Sequence, residues 1–134
     1  MDVSNKYGDS AGKIWTVLYK KGSTKEENLM KLTKLQKDEF YAAIGWLARE
    51  NKICKNKNYY ELGDTNLIDK IGADAGKVWD ALYSFGEIDI SHLAQYAKIQ
   101  ETDAISAIGW LAREDKIQGI KKKSKGFQTK FQLK

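Results

Sequence analysis

The sequence predicts a mainly α protein with small β-hairpins, an α+β chain built as two tandem copies of one unit. Two observations carry this prediction. First, blocks of residues recur at a spacing of 64. Gly8-Asp-Ser-Ala-Gly-Lys-Ile-Trp15 returns as Gly72-Ala-Asp-Ala-Gly-Lys-Val-Trp79, and Ala43-Ile-Gly-Trp-Leu-Ala-Arg-Glu50 returns unchanged as Ala107-Ile-Gly-Trp-Leu-Ala-Arg-Glu114. Compared without gaps, residues 8–53 and 72–117 are identical at 21 of 46 positions. Second, apolar residues in each copy follow the helical period and then alternate, so each copy reads as three helices and a hairpin. The units are expected at 1–65 and 66–134, joined near Gly63–Leu67 as a fixed or semi-fixed pair.

In the first unit, Ala11, Ile14, Trp15 and Leu18 fall at i, i+3, i+4 and i+7, the mark of an amphipathic helix. Trp15, and Trp79 in the second unit, are expected in the core. Gly22 ends this helix. A short second helix is expected over Lys25–Thr33, with Leu29 and Leu32 inward. The turn Lys34-Leu35-Gln36 leads to a third helix from about Lys37 to Asn51, whose inner stripe is Phe40, Ala43, Ile44 and Leu47. Asp38 and Glu39 sit in its first turn, where the helix dipole favours carboxylates. Ile53–Lys55 and Tyr59–Leu62 then alternate around Asn56-Lys57-Asn58 as a hairpin. The second unit predicts helices near Asp74–Ser84, Ile90–Ala97 and Glu101–Asp115, then strands near Ile117–Lys121 and Thr129–Leu133. Glu87-Ile88-Asp89 reads as a short strand, with Asp89 as the N-cap of the helix after it. Matching Tyr60-Glu-Leu62 with Phe131-Gln-Leu133 changes the offset from 64 to 71. The second hairpin is therefore seven residues longer, and the extra length is rich in Lys, Ser and Gly.

Three helices with a tight turn between the second and third, closed by a hairpin, make the winged helix-turn-helix plan, here in tandem. The Ala-Gly-Lys-[Ile/Val]-Trp opening and the Gly-Trp-Leu-Ala-Arg-Glu-x-Lys-Ile helix end resemble a family of small bacterial and archaeal winged-helix proteins of unknown function. That resemblance covers both units. It implies the fold, and by fold analogy an association with DNA. The family is usually seen as a single unit, so the tandem arrangement departs from its pattern.

Composition removes several function classes. The chain has 134 residues, one Cys and one His, which form neither an internal disulfide nor a zinc site. No window approaches eighteen consecutive apolar residues, and the N-terminus lacks the apolar core of a secretory signal, so a cytoplasmic protein is expected. Gly8-x-x-x-Gly12-Lys13 falls short of a phosphate loop, since one spacer residue is missing and Ile14 or Val78 stands where Ser or Thr is required. His92 has Asn28 as its counterpart, and Cys54 reads as a strand residue. No nucleophile–base pair or paired carboxylates can be assembled. The expectation is a binding module with no catalytic residue, cofactor, metal, small-molecule substrate or membrane contact.

Two surfaces compete for that role. Formal charge is +5, and residues 118–134 hold six lysines and no acid. Within that segment Lys121, Lys122, Lys123, Lys125 and Lys130 are candidates for contact with a DNA backbone, weak and salt-sensitive. The other surface is the outer side of the third helix, which reads bases in DNA-binding relatives. It carries Asp38, Ala42, Gly45, Trp46 and Arg49 in one copy and Thr102, Ser106, Gly109, Trp110 and Arg113 in the other. Base edges call for Arg, Lys, Asn, Gln or Ser, whereas the helix N-termini here offer Asp38, Glu39, Glu101 and Asp103, countered only by Lys37 and Arg49 in one copy and Arg113 in the other, so groove readout is disfavoured. Ala42, Gly45, Trp46 and Arg49, with Ser106, Gly109, Trp110 and Arg113, instead suit close packing by another element. The occupant is left open among the chain's own hairpin, the other repeat, a second copy of the chain and a foreign partner. The last two make a protein adaptor or dimerising scaffold the alternative function.

Overall fold

The computed structural model describes residues 3–120 and 129–134. The first repeat runs α1 (Val3–Lys21), β1 (Thr24–Lys25), α2 (Glu26–Thr33), α3 (Lys37–Arg49), β2 (Ile53–Asn56) and β3 (Tyr59–Leu62). A π-helical turn, Ile68–Gly72, leads into α4 (Ala73–Phe85), β4 (Ile88–Asp89), α5 (Ile90–Ala97), α6 (Glu101–Arg113), β5 (Ile117–Ile120) and β6 (Lys130–Leu133). Each repeat closes with a three-stranded antiparallel sheet, ordered β1-β3-β2 and β4-β6-β5. Equivalent register pairs are Thr24 with Tyr60 and Ile88 with Phe131.

The duplication extends to the backbone. Gly22 and Gly86 take positive φ just past α1 and α4, and the amide of each donates to the carbonyl of Leu18 or Leu82. Lys34 and Lys98 take left-handed φ of 57° and 59° in the turn before the third helix of each repeat, and Asn51 and Asp115 do so just after it. A non-glycine residue pays strain in that region. The same positions take it in both repeats, so the turn geometry is duplicated along with the sequence. On α3 the capping box is complete, with Glu39 accepting from the Gln36 amide at 3.0 Å. Asp89 caps α5 by accepting from the His92 amide at 2.9 Å.

Each repeat has its own apolar core. Phe40, Ile14, Leu29 and Ile53 are fully buried in the first, and Leu93, Val78, Ile108 and Ile117 in the second. The cores are sealed by exchange. Val3 and Tyr7 of α1 pack into the second core, and Ile71, the repeat equivalent of Tyr7, packs into the first. Gly119 on β5 leaves the room Val3 occupies, since a Cβ there would stand 2.5 Å from Val3 Cγ1.

Three side chains lie elsewhere than the sequence reading expects. Trp15 and Trp79 are 39% and 36% exposed rather than in the core. The buried stripe of α1 is Val3, Tyr7, Ala11, Ile14 and Leu18, and at 100° per residue Trp15 stands about 80° off its centre. Each indole instead stacks on the tyrosine one turn later, Trp15 on Tyr19 at 5.1 Å and Trp79 on Tyr83 at 5.4 Å between ring centroids. Leu32 is also exposed, because α2 turns Leu29 and Thr33 inward.

Candidate nucleic-acid interface

In a winged helix the third helix is the element that enters a groove, and its outer face is the one that meets the bases. Here α3 and α6 make the most extensive contact between elements in the molecule, each packing its outer face on the other. The approach is close enough to require glycine. A Cβ on Gly45 would stand 1.8 Å from the Ser106 carbonyl oxygen, and one on Gly109 would stand 1.8 Å from that of Ala42. Ala42, Gly45, Ser106 and Gly109 are buried between the helices.

The indoles flank this contact. Trp46 lies against Gly8 of its own α1, where a Cβ would meet the ring at 3.2 Å, and Trp110 lies against Gly72 in the same way. Over each ring comes the arginine of the opposite repeat, Arg113 above Trp46 and Arg49 above Trp110, both 5.7 Å from the centroid. The arginines then exchange ion pairs, Arg49 Nε with Glu114 at 3.1 Å and Arg113 Nε with Glu50 at 3.0 Å. Lys52 and Lys116 extend the two pairs at 3.6 and 3.5 Å. One sequence motif, Gly-Trp-Leu-Ala-Arg-Glu, thus meets its own duplicate about a pseudo-two-fold axis.

The occupant left open by the sequence is therefore the other repeat. The apolar faces of α3 and α6 do not stand free for a second copy or a foreign partner, which corrects the adaptor reading built on them. The same packing buries the small residues and ties Arg49 and Arg113, whose side chains stay exposed, to the glutamates of the opposite repeat. The acids at the N-terminal ends remain, with Asp38 3.7 Å from Lys6 and Asp103 3.4 Å from Lys70, which also pairs with buried Asp74 at 2.9 Å.

On the second wing, Lys121, Lys122, Lys123 and Lys125 lie outside the described residues. Lys130 is on β6, opposite Asp89 in the sheet register. It shares a cleft of about 570 Å³ with Asp89, Glu87 and His92. Burial pushes the Asp89 carboxyl up, but hydrogen bonds from the His92 amide and ring, with the charges of His92 and Lys130, outweigh it and hold the group below its usual range. Lys130 thus has an acid as its near neighbour. His92 is exposed, and its Nδ1 is 2.7 Å from Asp89.

A second polar cluster lies within the first repeat, between α2, α3 and the β2–β3 hairpin. Glu26 accepts from the hydroxyls of Tyr60 at 2.8 Å and Tyr41 at 3.3 Å, and Lys55 lies 5.4 Å over the Tyr60 ring. Burial, with the Glu26 charge and hydrogen bond, raises both phenols above their usual range. The repeat equivalents of Glu26, Tyr41 and Tyr60 are Ile90, Ile105 and Phe131, so this cluster is polar in one copy and apolar in the other. Gly8, Gly12 and Lys13 lie within α1, with no phosphate-cradling loop around them. Cys54 is half-buried on β2. Among the described residues no three His, Cys, Asp or Glu side chains gather as a metal site, and no helix is long and apolar enough to cross a membrane.

The exposed Trp–Tyr pairs are what sequence reasoning missed. Their only signal is that Tyr19 and Tyr83 recur one turn after Trp15 and Trp79. A family model described as a winged helix-turn-helix domain (DUF2582) matches residues 1–62 and again residues 66–129. No curated protein matches the chain.

Proposed function

The chain belongs to the winged helix-turn-helix domain family DUF2582, and from that membership we propose a non-enzymatic, DNA-associated binding module that holds the phosphate backbone and leaves base edges unread. Winged helix-turn-helix domains are commonly DNA-binding. The observation that carries the finer reading is the closure of α3 on α6, with Gly45 against Ser106 and Gly109 against Ala42. With that face buried, α3 and α6 leave to solvent Lys37, the acids of their first turns and two arginines already paired with the opposite glutamates, a poor set for reading base edges. Contact then falls to the wings, and the second is the more basic, with Lys121, Lys122, Lys123, Lys125 and Lys130 in a segment without acids. Such contact is sequence-tolerant, because phosphates carry no base identity.

The test is fluorescence anisotropy of labelled duplexes of unrelated sequence, titrated across salt. Expected is similar affinity for all of them, with a log–log salt slope to which about four or five engaged wing lysines contribute about −3 to −5. Replacing Lys121, Lys122 and Lys123 with Ser is expected to flatten the slope by about 2 to 3. A slope unchanged by that replacement, or strong preference for one sequence, would overturn the reading.

A further inference from the structure

The cleft that holds Lys130 has a twin in the first repeat, of about 570 Å³ as well, between the end of α1, α2 and β3. Every residue lining one has its repeat equivalent lining the other, so the two share a backbone frame and differ in chemistry alone. Lys21 stands where Phe85 does, Lys25 where Asp89 does, and Lys31 where Gln95 does. Across the strand, Tyr59 replaces Lys130. The first cleft is thus lined by three lysines and no acid, a formal +3. The second has one lysine against Glu87 and Asp89, a formal −1.

Lys21, Lys25 and Lys31 form no ion pair among the described residues, and Glu27, one turn before Lys31 on α2, is not paired with it. Tyr59 is exposed beside them, and Asn28 adds an amide to the same wall. A row of unpaired ammonium groups in a concave surface with an open aromatic ring at its edge matches a phosphodiester strand. The lysines would displace counterions from phosphates, and the ring would offer a face to a base or sugar. In the twin, Asp89 is engaged by His92 and opposes the one lysine, so that frame presents no comparable row of cations.

We infer that the first-repeat cleft of Lys21, Lys25, Lys31 and Tyr59 is a second nucleic-acid backbone site, on the opposite repeat from the basic wing. This rests on the DNA-associated reading above. It makes the full chain a two-point binder whose salt dependence exceeds what the wing alone supplies.

The experiment compares four full-length proteins by anisotropy with one labelled duplex: wild type, Lys21→Ser/Lys25→Ser/Lys31→Ser, the same three positions changed to Arg, and Lys121→Ser/Lys122→Ser/Lys123→Ser. Thermal melts verify that each folds. With two to three phosphates lost, the cleft Ser variant is expected to have a slope flatter by about 2 to 3 and an affinity about 60- to 500-fold lower at about 0.1 M salt. The Arg variant is expected to bind as wild type does. If the cleft Ser variant keeps the wild-type slope while the wing variant loses it, the cleft inference fails and the wing reading stands. If the cleft variant loses the slope and the wing variant keeps it, the wing reading fails and the cleft stands. Wild type that binds no duplex at about 50 mM salt overturns both.

Discussion

Gly45→Ala tests the α3–α6 closure directly, because the added methyl group has nowhere to go. Its Cβ would lie 1.8 Å from the Ser106 carbonyl oxygen, 2.8 Å from the carbonyl carbon and 3.0 Å from the Trp110 amide nitrogen. Regaining even 3.0 Å from the oxygen requires 3.0 − 1.8 = 1.2 Å of retreat by a helix backbone, not by a side chain that swings aside. Overpacking of that kind costs about 3 kcal/mol at the upper end of its usual range. Alanine recovers about 1 kcal/mol of helix propensity over glycine. The net is a destabilisation of about 2 kcal/mol, or a fall in Tm of about 8 °C for a chain of this size. Gly109→Ala, blocked at 1.8 Å by the Ala42 carbonyl, is expected to behave alike. The double variant is expected to fall short of the sum, since one separation of the helices relieves both clashes. Gly12→Ala and Gly76→Ala are the matched controls: both lie within helices and have nothing within 4 Å of the new Cβ. They are expected to gain about 1 kcal/mol each. Differential scanning calorimetry reads all five. A Gly45→Ala protein that melts at or above wild type, alongside stabilised controls, would refute the close approach.

Two further outcomes follow from the placement of single side chains. Iodide is expected to quench chiefly Trp15 and Trp79, since Trp46 and Trp110 lie between a glycine of their own repeat and an arginine of the other; a Trp15→Phe/Trp79→Phe protein quenched as strongly as wild type would contradict that. Asp89→Ala is expected to cost about 1 kcal/mol near neutral pH by removing the α5 cap. Because the folded-state pKa of Asp89 is depressed, this contribution is complete above the usual 3.8 and is lost as pH falls through the folded value. The wild-type advantage in denaturant midpoint is therefore expected to narrow below about pH 4, and an advantage independent of pH would sink the assignment.

Element order was legible because helices and strands are written in local periods. Phe40, Ala43, Ile44 and Leu47 repeat at helical spacing and are all buried, and the strands around Asn56-Lys57-Asn58 alternate as a hairpin must. The failures at Trp15 and Leu32 share one cause. Each stands beside a residue that the stripe also accommodates, Ile14 and Thr33 respectively, and periodicity alone does not say where the stripe is centred. For α1 the centre was set by Val3 and Tyr7, whose burial comes from the other repeat.

What the sequence by itself determined was the duplicated fold, the small residues at 42, 45, 106 and 109 that demand a close neighbour, and the concentration of lysines beyond residue 117. Only the tertiary structure decided that the neighbour is the duplicate helix, that the arginines cross over to the opposite indole and glutamate, and that two clefts of one ancestry carry opposite charge. The physical reason is that a missing side chain records how near another backbone must come, while the identity of that backbone depends on contacts between residues more than sixty positions apart.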